Sequence, residues 1–222
     1  MRNKPKTKVR TAKGRKNSST KWLKRQLNDP YVDEAEKYGY RGRAAFKIKE
    51  MDEKLKILKK DAVVIDLGAA PGGWCQIATE KGCKVVAIDL LEIDEIVGIE
   101  FFQMDFMDDD APRILKESLA KLSPDGLADV VLSDMAPNTI GHKQTDHIRI
   151  MAVVEAAYYF ACEVLKPDGV FVAKVFQGGA QDTLLKEMKR NFTSVKHMKP
   201  PASRKESSEQ YVIATGFKGS NA

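Results

Sequence analysis

Apolar residues recur at helical spacing over residues 43–59, where Ala44, Ile48, Met51, Leu55 and Leu58 form one stripe. After this amphipathic helix the pattern shortens into compact apolar runs alternating with further helical stretches. Val63-Val64-Ile65 predicts a first strand, closed by Asp66-Leu67-Gly68, and residues 73–81 suit a helix. Lys84 to Ile88, ending on Asp89, is a second strand; residues 99–102 are a third, followed by a helix near 111–121. Asp129 to Ser133 predicts a fourth strand and residues 147–165 a long helix. Pro167-Asp168-Gly169 turns the chain into a fifth strand, Gly169 to Phe176, and a helix follows over 180–191. Two last strands run near 194–198 and 209–217. Apolar strands alternating with helices predict a parallel sheet covered on both faces. The last two strands are too close for a crossover helix between them, so they pair as an antiparallel edge. The expected fold class is α/β and Rossmann-like: a mostly parallel seven-stranded sheet with an antiparallel edge strand and helices on both faces.

Charge divides the chain. Residues 1–25 carry eleven Lys or Arg and no acid, which leaves 26 basic against 31 acidic residues in the remainder. The whole positive excess of the chain (net +6) therefore lies in the tail. Residues 1–30 are read as a basic, flexible tail and residues 31–222 as one folded domain. Such a tail is either a solubilising extension or an arm that neutralises phosphates. The domain's own candidates for a basic surface are Arg41, Arg43, Lys196, Lys199, Arg204 and Lys205. Three cysteines with no C-x-x-C pair fit reduced thiols of a cytoplasmic protein. No metal site is expected from three scattered histidines, and no apolar run is long enough to span a membrane.

The first strand leads through Asp66-Leu67-Gly68-Ala69-Ala70-Pro71-Gly72-Gly73-Trp74 into a helix. In a doubly wound sheet the ligand lies at the carboxyl ends of the strands, and glycines there allow a close backbone approach. Asp89 ends the next strand, where a carboxylate accepts hydrogen bonds from ribose hydroxyls. Asp105, after the third strand, is placed to accept an adenine amino group, or is a solvated loop acid. Two cofactors compete for this loop. A dinucleotide needs amides for its pyrophosphate, and Pro71 removes one of them. S-adenosylmethionine has no phosphate and tolerates that loss.

The fourth strand ends in Ser133-Asp134-Met135-Ala136-Pro137-Asn138, and the fifth holds Lys174 within Val170-Phe171-Val172-Ala173-Lys174-Val175-Phe176. A lysine in such a run needs a partner or water. Asp134, at the end of the neighbouring parallel strand, supplies one. The pair is either a structural ion pair or a proton-handling site in which burial and the carboxylate oppose each other on the lysine. Glu209 precedes the last strand, and Lys47 lies at the edge of the first helical stripe. Singly, Glu209 reads as an exposed strand-end acid and Lys47 as a snorkelling stem.

Together, Arg41 to Lys47, Asp66 to Trp74, Ser133 to Asn138, Val172 to Gly178 and Glu209 to Gly216 resemble the FtsJ/RrmJ-type ribose 2′-O-methyltransferases, and among them the bacterial group acting on large-subunit ribosomal RNA. The resemblance covers about residues 38–218. It implies an S-adenosylmethionine-dependent methyltransferase fold, a catalytic tetrad of Lys47, Asp134, Lys174 and Glu209, and cofactor contacts at Gly72, Trp74, Asp89, Asp105 and Asp134, to which the loop geometry adds Gly68. This chain departs at Cys75, where serine is common, at Ala45, where a larger aromatic is common, and at Gln210, where an aliphatic is common. The implied substrate is a uridine in the A-loop of large-subunit ribosomal RNA. Relatives with the same tetrad modify transfer RNA or messenger caps, and the short chain carries no appended cap-binding domain. The implied partner is therefore ribosomal RNA within the large subunit; a monomer is the default expectation, and the thiol pattern fits the cytoplasm.

Other chemistries lack their residues. A cytosine C5 methyltransferase needs a cysteine beside the strand-four acid, where Met135-Ala136-Pro137 stands. An amino-group methyltransferase commonly stacks the base on an aromatic where this chain has Asn138. A non-catalytic RNA-binding module, with the tail as its binding element, gives no reason for Lys174 inside an apolar strand.

Overall fold

A computed structural model describes residues 17–137, 141–176 and 182–219. Three helices lead in: α1 (Asn17–Gln26), α2 (Pro30–Tyr38) and α3 (Ala44–Leu55). Asp29 caps α2, its carboxylate accepting from the Tyr31 amide at 3.2 Å, and Pro30 starts the helix where a missing N–H costs nothing. Gly39, at φ 73°, ends it. Residues 17–26, which composition assigns to a structureless tail, are helical, and the tail assignment of residues 1–16 lies outside the described residues. The helix α3 stops short of residue 59 because Lys56 turns left-handed at φ 54°. The buried Asp52 then pins the exit, accepting from the Leu58 amide at 2.7 Å and pairing with Lys81 at 2.8 Å.

The remaining chain alternates β1 (Val63–Leu67), α4 (Gly73–Glu80), β2 (Lys84–Asp89), β3 (Ile99–Gln103), α5 (Ala111–Leu122), β4 (Ala128–Ser133), α6 (Lys143–Val164), β5 (Leu165–Phe176), α7 (Asp182–Asn191), β6 (Phe192–Met198) and β7 (Glu209–Phe217). The sheet order is β3-β2-β1-β4-β5-β7-β6. Its order reverses between β1 and β4, which opens a ligand crevice above that seam. Every residue of β1 is buried. By the two-residue period, Val63, Ile65 and Leu67 enter the core beneath α5, α6 and α7, while Val64 enters the core beneath α3 and α4.

Two details differ from the sequence pattern. The expected antiparallel edge is present, but the strand that opposes the rest is β7, inserted between β5 and β6 and antiparallel to both. The edge itself is β6. The expected turn at 167–169 is an irregularity inside β5: Asp168 sits at φ 65°, and pairing with β4 jumps from Ala128–Leu165 to Val130–Val170. Among the described residues no helix is long and apolar enough to cross a membrane.

Candidate active site

Strand register sets three of the side chains. The strands β4 and β5 run parallel with Ser133 beside Ala173, so Asp134 leaves β4 next to Lys174. Across β5, Lys174 is the antiparallel partner of Tyr211 on β7. Alternation along β7 puts Glu209 on the same face as Tyr211. The helix α3 lies over this row and brings down Lys47, which is buried.

The contacts join into one network. Lys174 Nζ lies 3.1 Å from Asp134 Oδ1 and also donates to the Asp134 main-chain carbonyl. The Tyr211 hydroxyl donates to Asp134 Oδ1 at 2.7 Å. Lys47 Nζ donates to that hydroxyl at 3.0 Å and to Glu209 Oε1 at 2.9 Å, and lies 4.0 Å from Asp134 Oδ2. Burial alone would raise the Asp134 carboxyl, but the charges of Lys174 and Lys47, with hydrogen bonds from Tyr211 and Lys174, hold it below its ordinary value. Burial, reinforced by the charges of Asp134 and Glu209, pushes the Tyr211 phenol well above its ordinary value, so it stays a neutral donor.

Tyr211 was legible only as one member of an apolar last strand. The available signal was its place two residues after Glu209, on the same face. Its ring packs on Trp74 with centroids 5.6 Å apart.

Beside this network a cleft of about 740 Å³ opens at the carboxyl ends of the strands, lined among others by Gly68, Asp89, Asp105, Asp134, Arg149 and Lys174. Gly68 is at φ 81°, and a Cβ there would lie 2.6 Å from the Met135 side chain and 2.9 Å from its amide. Gly72, at φ 102°, caps α4, and a Cβ would lie 2.8 Å from Ile96. Both glycines let the loop fold tightly under the cleft. Asp89 is oriented by the Ala70 and Leu91 amides, each at 2.8 Å, and Asp105 by the Met107 amide at 2.9 Å. Two oriented carboxylates beside apolar side chains (Ile88, Met104, Phe106, Pro137) fit a nucleoside whose sugar and base both donate. Beneath the loop Asp66 is fully buried, with Oδ1 lacking a partner and Oδ2 accepting from the Cys75 thiol at 3.2 Å.

Other candidates are placed differently. Gly72, Trp74, Lys47 and Glu209 do not line the cleft. The Trp74 indole is buried, donating to the Ala44 carbonyl at 2.9 Å. What Trp74 can offer a ligand is its amide in the first turn of α4. Several basic residues assigned to an RNA surface are engaged within the molecule. Arg41 donates to the carbonyls of Pro71, Asp94 and Glu95. Arg43 and Arg204 both pair with Asp29, at 2.9 and 3.3 Å. Lys199 donates to the carbonyls of Lys205 and Ser207. Lys196 and Lys205 are exposed. Asn138 and Gly178 lie outside the described residues.

Comparison with known proteins follows the same outline. A family model described as FtsJ-like methyltransferase matches residues 40–217. The ribosomal RNA large subunit methyltransferase E of Paramagnetospirillum magneticum is 59% identical, with 96% of this chain and 89% of that protein covered. The protein of that name from Novosphingobium aromaticivorans is 57% identical over 97% of this chain and 96% of its own length. Among solved structures, a Plasmodium falciparum protein described as a ribosomal RNA methyltransferase superposes with a TM-score of 0.71 at 29% identity, covering 81% of this chain and 100% of that one.

Proposed function

Because the chain belongs to the FtsJ-like methyltransferase family, we propose that it transfers a methyl group from S-adenosylmethionine to a ribose 2′-hydroxyl of large-subunit ribosomal RNA, at a uridine of the A-loop. The observation that carries this reading is the position of Lys174 and Asp134, paired at 3.1 Å on the wall of the cleft. Lys47 and Glu209, which do not line the cleft, complete the tetrad through Tyr211 and Asp134.

The residues present fit the cofactor. Asp89 has the position to accept from the ribose diol, Asp105 from the adenine amino group, and Gly68 and Gly72 allow the loop to pass close beneath. When bound, S-adenosylmethionine supplies an electrophilic methyl on a cationic sulfonium. Asp134, kept ionised by its two lysines, places negative charge beside that position. Lys174, once it has given up its own proton in the reacting complex, takes the 2′-hydroxyl proton at Nζ, or as the ammonium holds the forming alkoxide by a hydrogen bond. Asp134 and its main-chain carbonyl fix the direction of that amine. Lys47 and Glu209 fix the ribose, and much of the acceleration comes from this positioning.

The test is incubation of the protein with labelled S-adenosylmethionine and large ribosomal subunits from cells lacking the enzyme, followed by nuclease mapping. Label on a ribose of the A-loop is expected. Label on a base, or on transfer RNA alone, overturns the reading.

A further inference from the structure

The loop between β6 and β7 carries a group that the tetrad does not include. Ser203 is buried, at 4% exposure, and its hydroxyl donates to Glu209 Oε1 at 2.8 Å. That oxygen is the one that receives Lys47 at 2.9 Å. One carboxylate oxygen therefore stands between a serine hydroxyl and the lysine ammonium.

The loop holding Ser203 is fastened on both sides. The Ala202 amide donates to Glu50 Oε2 at 2.7 Å, and Glu50 Oε1 receives the Tyr31 hydroxyl at 2.8 Å. The Ala202 carbonyl receives Arg43. Arg204, on the other flank, reaches Asp29 at 3.3 Å and Gln26 at 2.7 Å. The Ser203 amide closes a turn on the Pro200 carbonyl at 2.8 Å. These bonds link α1, α2 and α3 to the loop and hold in place the backbone that carries the serine hydroxyl.

We propose that Ser203 is a positioning residue for methyl transfer: it fixes the rotamer of Glu209, and through it the ammonium of Lys47 against Tyr211 and Asp134. Glu209 is the first residue of its strand, where pairing holds the backbone but not the side chain. Without the serine, its carboxylate has only Lys47 as a side-chain partner among the described residues, and the two can swing together. Hydrogen bonds to charged groups are worth about 1.5–3 kcal/mol, which corresponds to roughly a tenfold to hundredfold effect on whatever geometry they hold.

The inference rests on the methyltransferase reading, so its test has two independent arms. In the first, methyl transfer to large ribosomal subunits is measured for the full chain, for Ser203→Ala and for Ser203→Thr. The alanine variant is expected to lose at least about tenfold in kcat, with its KM for S-adenosylmethionine unchanged, and the threonine variant to recover most of it. In the second, the protein without RNA is acetylated at limiting reagent and the rate is read at each lysine by mass spectrometry. Ser203→Ala is expected to speed labelling of Lys47 several-fold and to leave Lys166, at the opposite end of β5, unchanged. Wild-type protein that transfers no methyl defeats the functional reading, and the labelling arm then decides this one. Unchanged Lys47 labelling, or an equal rise at Lys47 and Lys166, overturns the proposal, as does native kcat in Ser203→Ala.

Discussion

The Tyr211 hydroxyl donates to Asp134 Oδ1 at 2.7 Å while receiving Lys47 at 3.0 Å, so one phenol joins the strand-four acid to the helix lysine. Tyr211→Phe removes both bonds and keeps the ring on Trp74. We expect methyl transfer to fall about tenfold, in line with the loss of a hydrogen bond to a charged group, and Tm to drop by only several degrees because the ring packing is kept. Parallel measurement of kcat and Tm checks this. A collapse of Tm would make Tyr211 a packing residue first.

Lys174 and Asp134 separate differently. Lys174→Ala should abolish methyl transfer and leave cofactor affinity nearly intact, because Asp89, Asp105 and the glycine loop are untouched. Asp134→Ala should damage both and also destabilise the fold by up to about 3–5 kcal/mol, since it takes the carboxylate from Lys174 and from the Tyr211 hydroxyl while Lys47 keeps Glu209. Calorimetric titration with S-adenosylhomocysteine, set beside single-turnover kinetics, distinguishes the two. Near-native turnover in Lys174→Ala would reduce the pair to a structural ion pair.

Apolar periodicity located every strand, because β1, β2 and β4 are buried on both faces and their runs are unbroken. It could not reveal that β7 inserts beside β5, since pairing partners are set by tertiary packing and not by local pattern. That insertion is what places Tyr211 against Lys174, and it hid Tyr211 inside an apolar run. The helix α1 escaped notice because a polar segment with little more than Trp22, Leu23 and Leu27 gives no stripe. Arg43 and Arg204 looked like a basic surface because nothing local announces that both pair with Asp29.

Asp66 makes a pH dependence. Burial, opposed by the Cys75 hydrogen bond and assisted by the charges of Asp134 and Asp89, pushes its carboxyl from 3.8 up to about 7. An acid raised in this way keeps a proton that the unfolded chain releases, so between about pH 4 and pH 7 it makes stability fall as pH rises, with the loss complete above that window. Asp66→Asn removes the ionisation. Relative to wild type, it should gain about 2–3 kcal/mol more at pH 8 than at pH 5 in urea unfolding. An equal difference at both pH values would mean that Asp66 does not titrate in this window.

Cofactor choice follows from the loop. Pro71 denies one amide to a pyrophosphate, while Asp89 and Asp105 remain oriented acceptors. The protein should bind S-adenosylmethionine and S-adenosylhomocysteine, and neither NAD nor NADP. Asp89→Ala should weaken the first two at least tenfold. Tight NAD(P) binding by calorimetry without S-adenosylmethionine binding would overturn the assignment of the cleft.

Positive charge is concentrated at the N-terminus of the chain. Residues 1–16 hold eight Lys or Arg and no acid, whereas the chain after residue 25 is net negative by five charges and repels RNA at long range. Within the domain, Arg41, Arg43, Lys199 and Arg204 already serve carbonyls and a carboxylate. In the sequence the tail is the densest run of positive charge without acids. Deleting residues 1–16 spares Gln26 and Asp29, whose contacts with Arg204 and Arg43 fasten α1 and α2 to the domain. If about five of the tail charges meet phosphates, the slope of log affinity against log salt should fall by roughly 4 units. Turnover at saturating RNA should hardly change, because Lys47, Asp134, Lys174 and Glu209 all remain. A purely solubilising tail predicts one slope for both proteins. Dissociation constants at several salt concentrations, for the full chain and the deletion, decide between the two, and equal slopes would remove the tail from RNA binding.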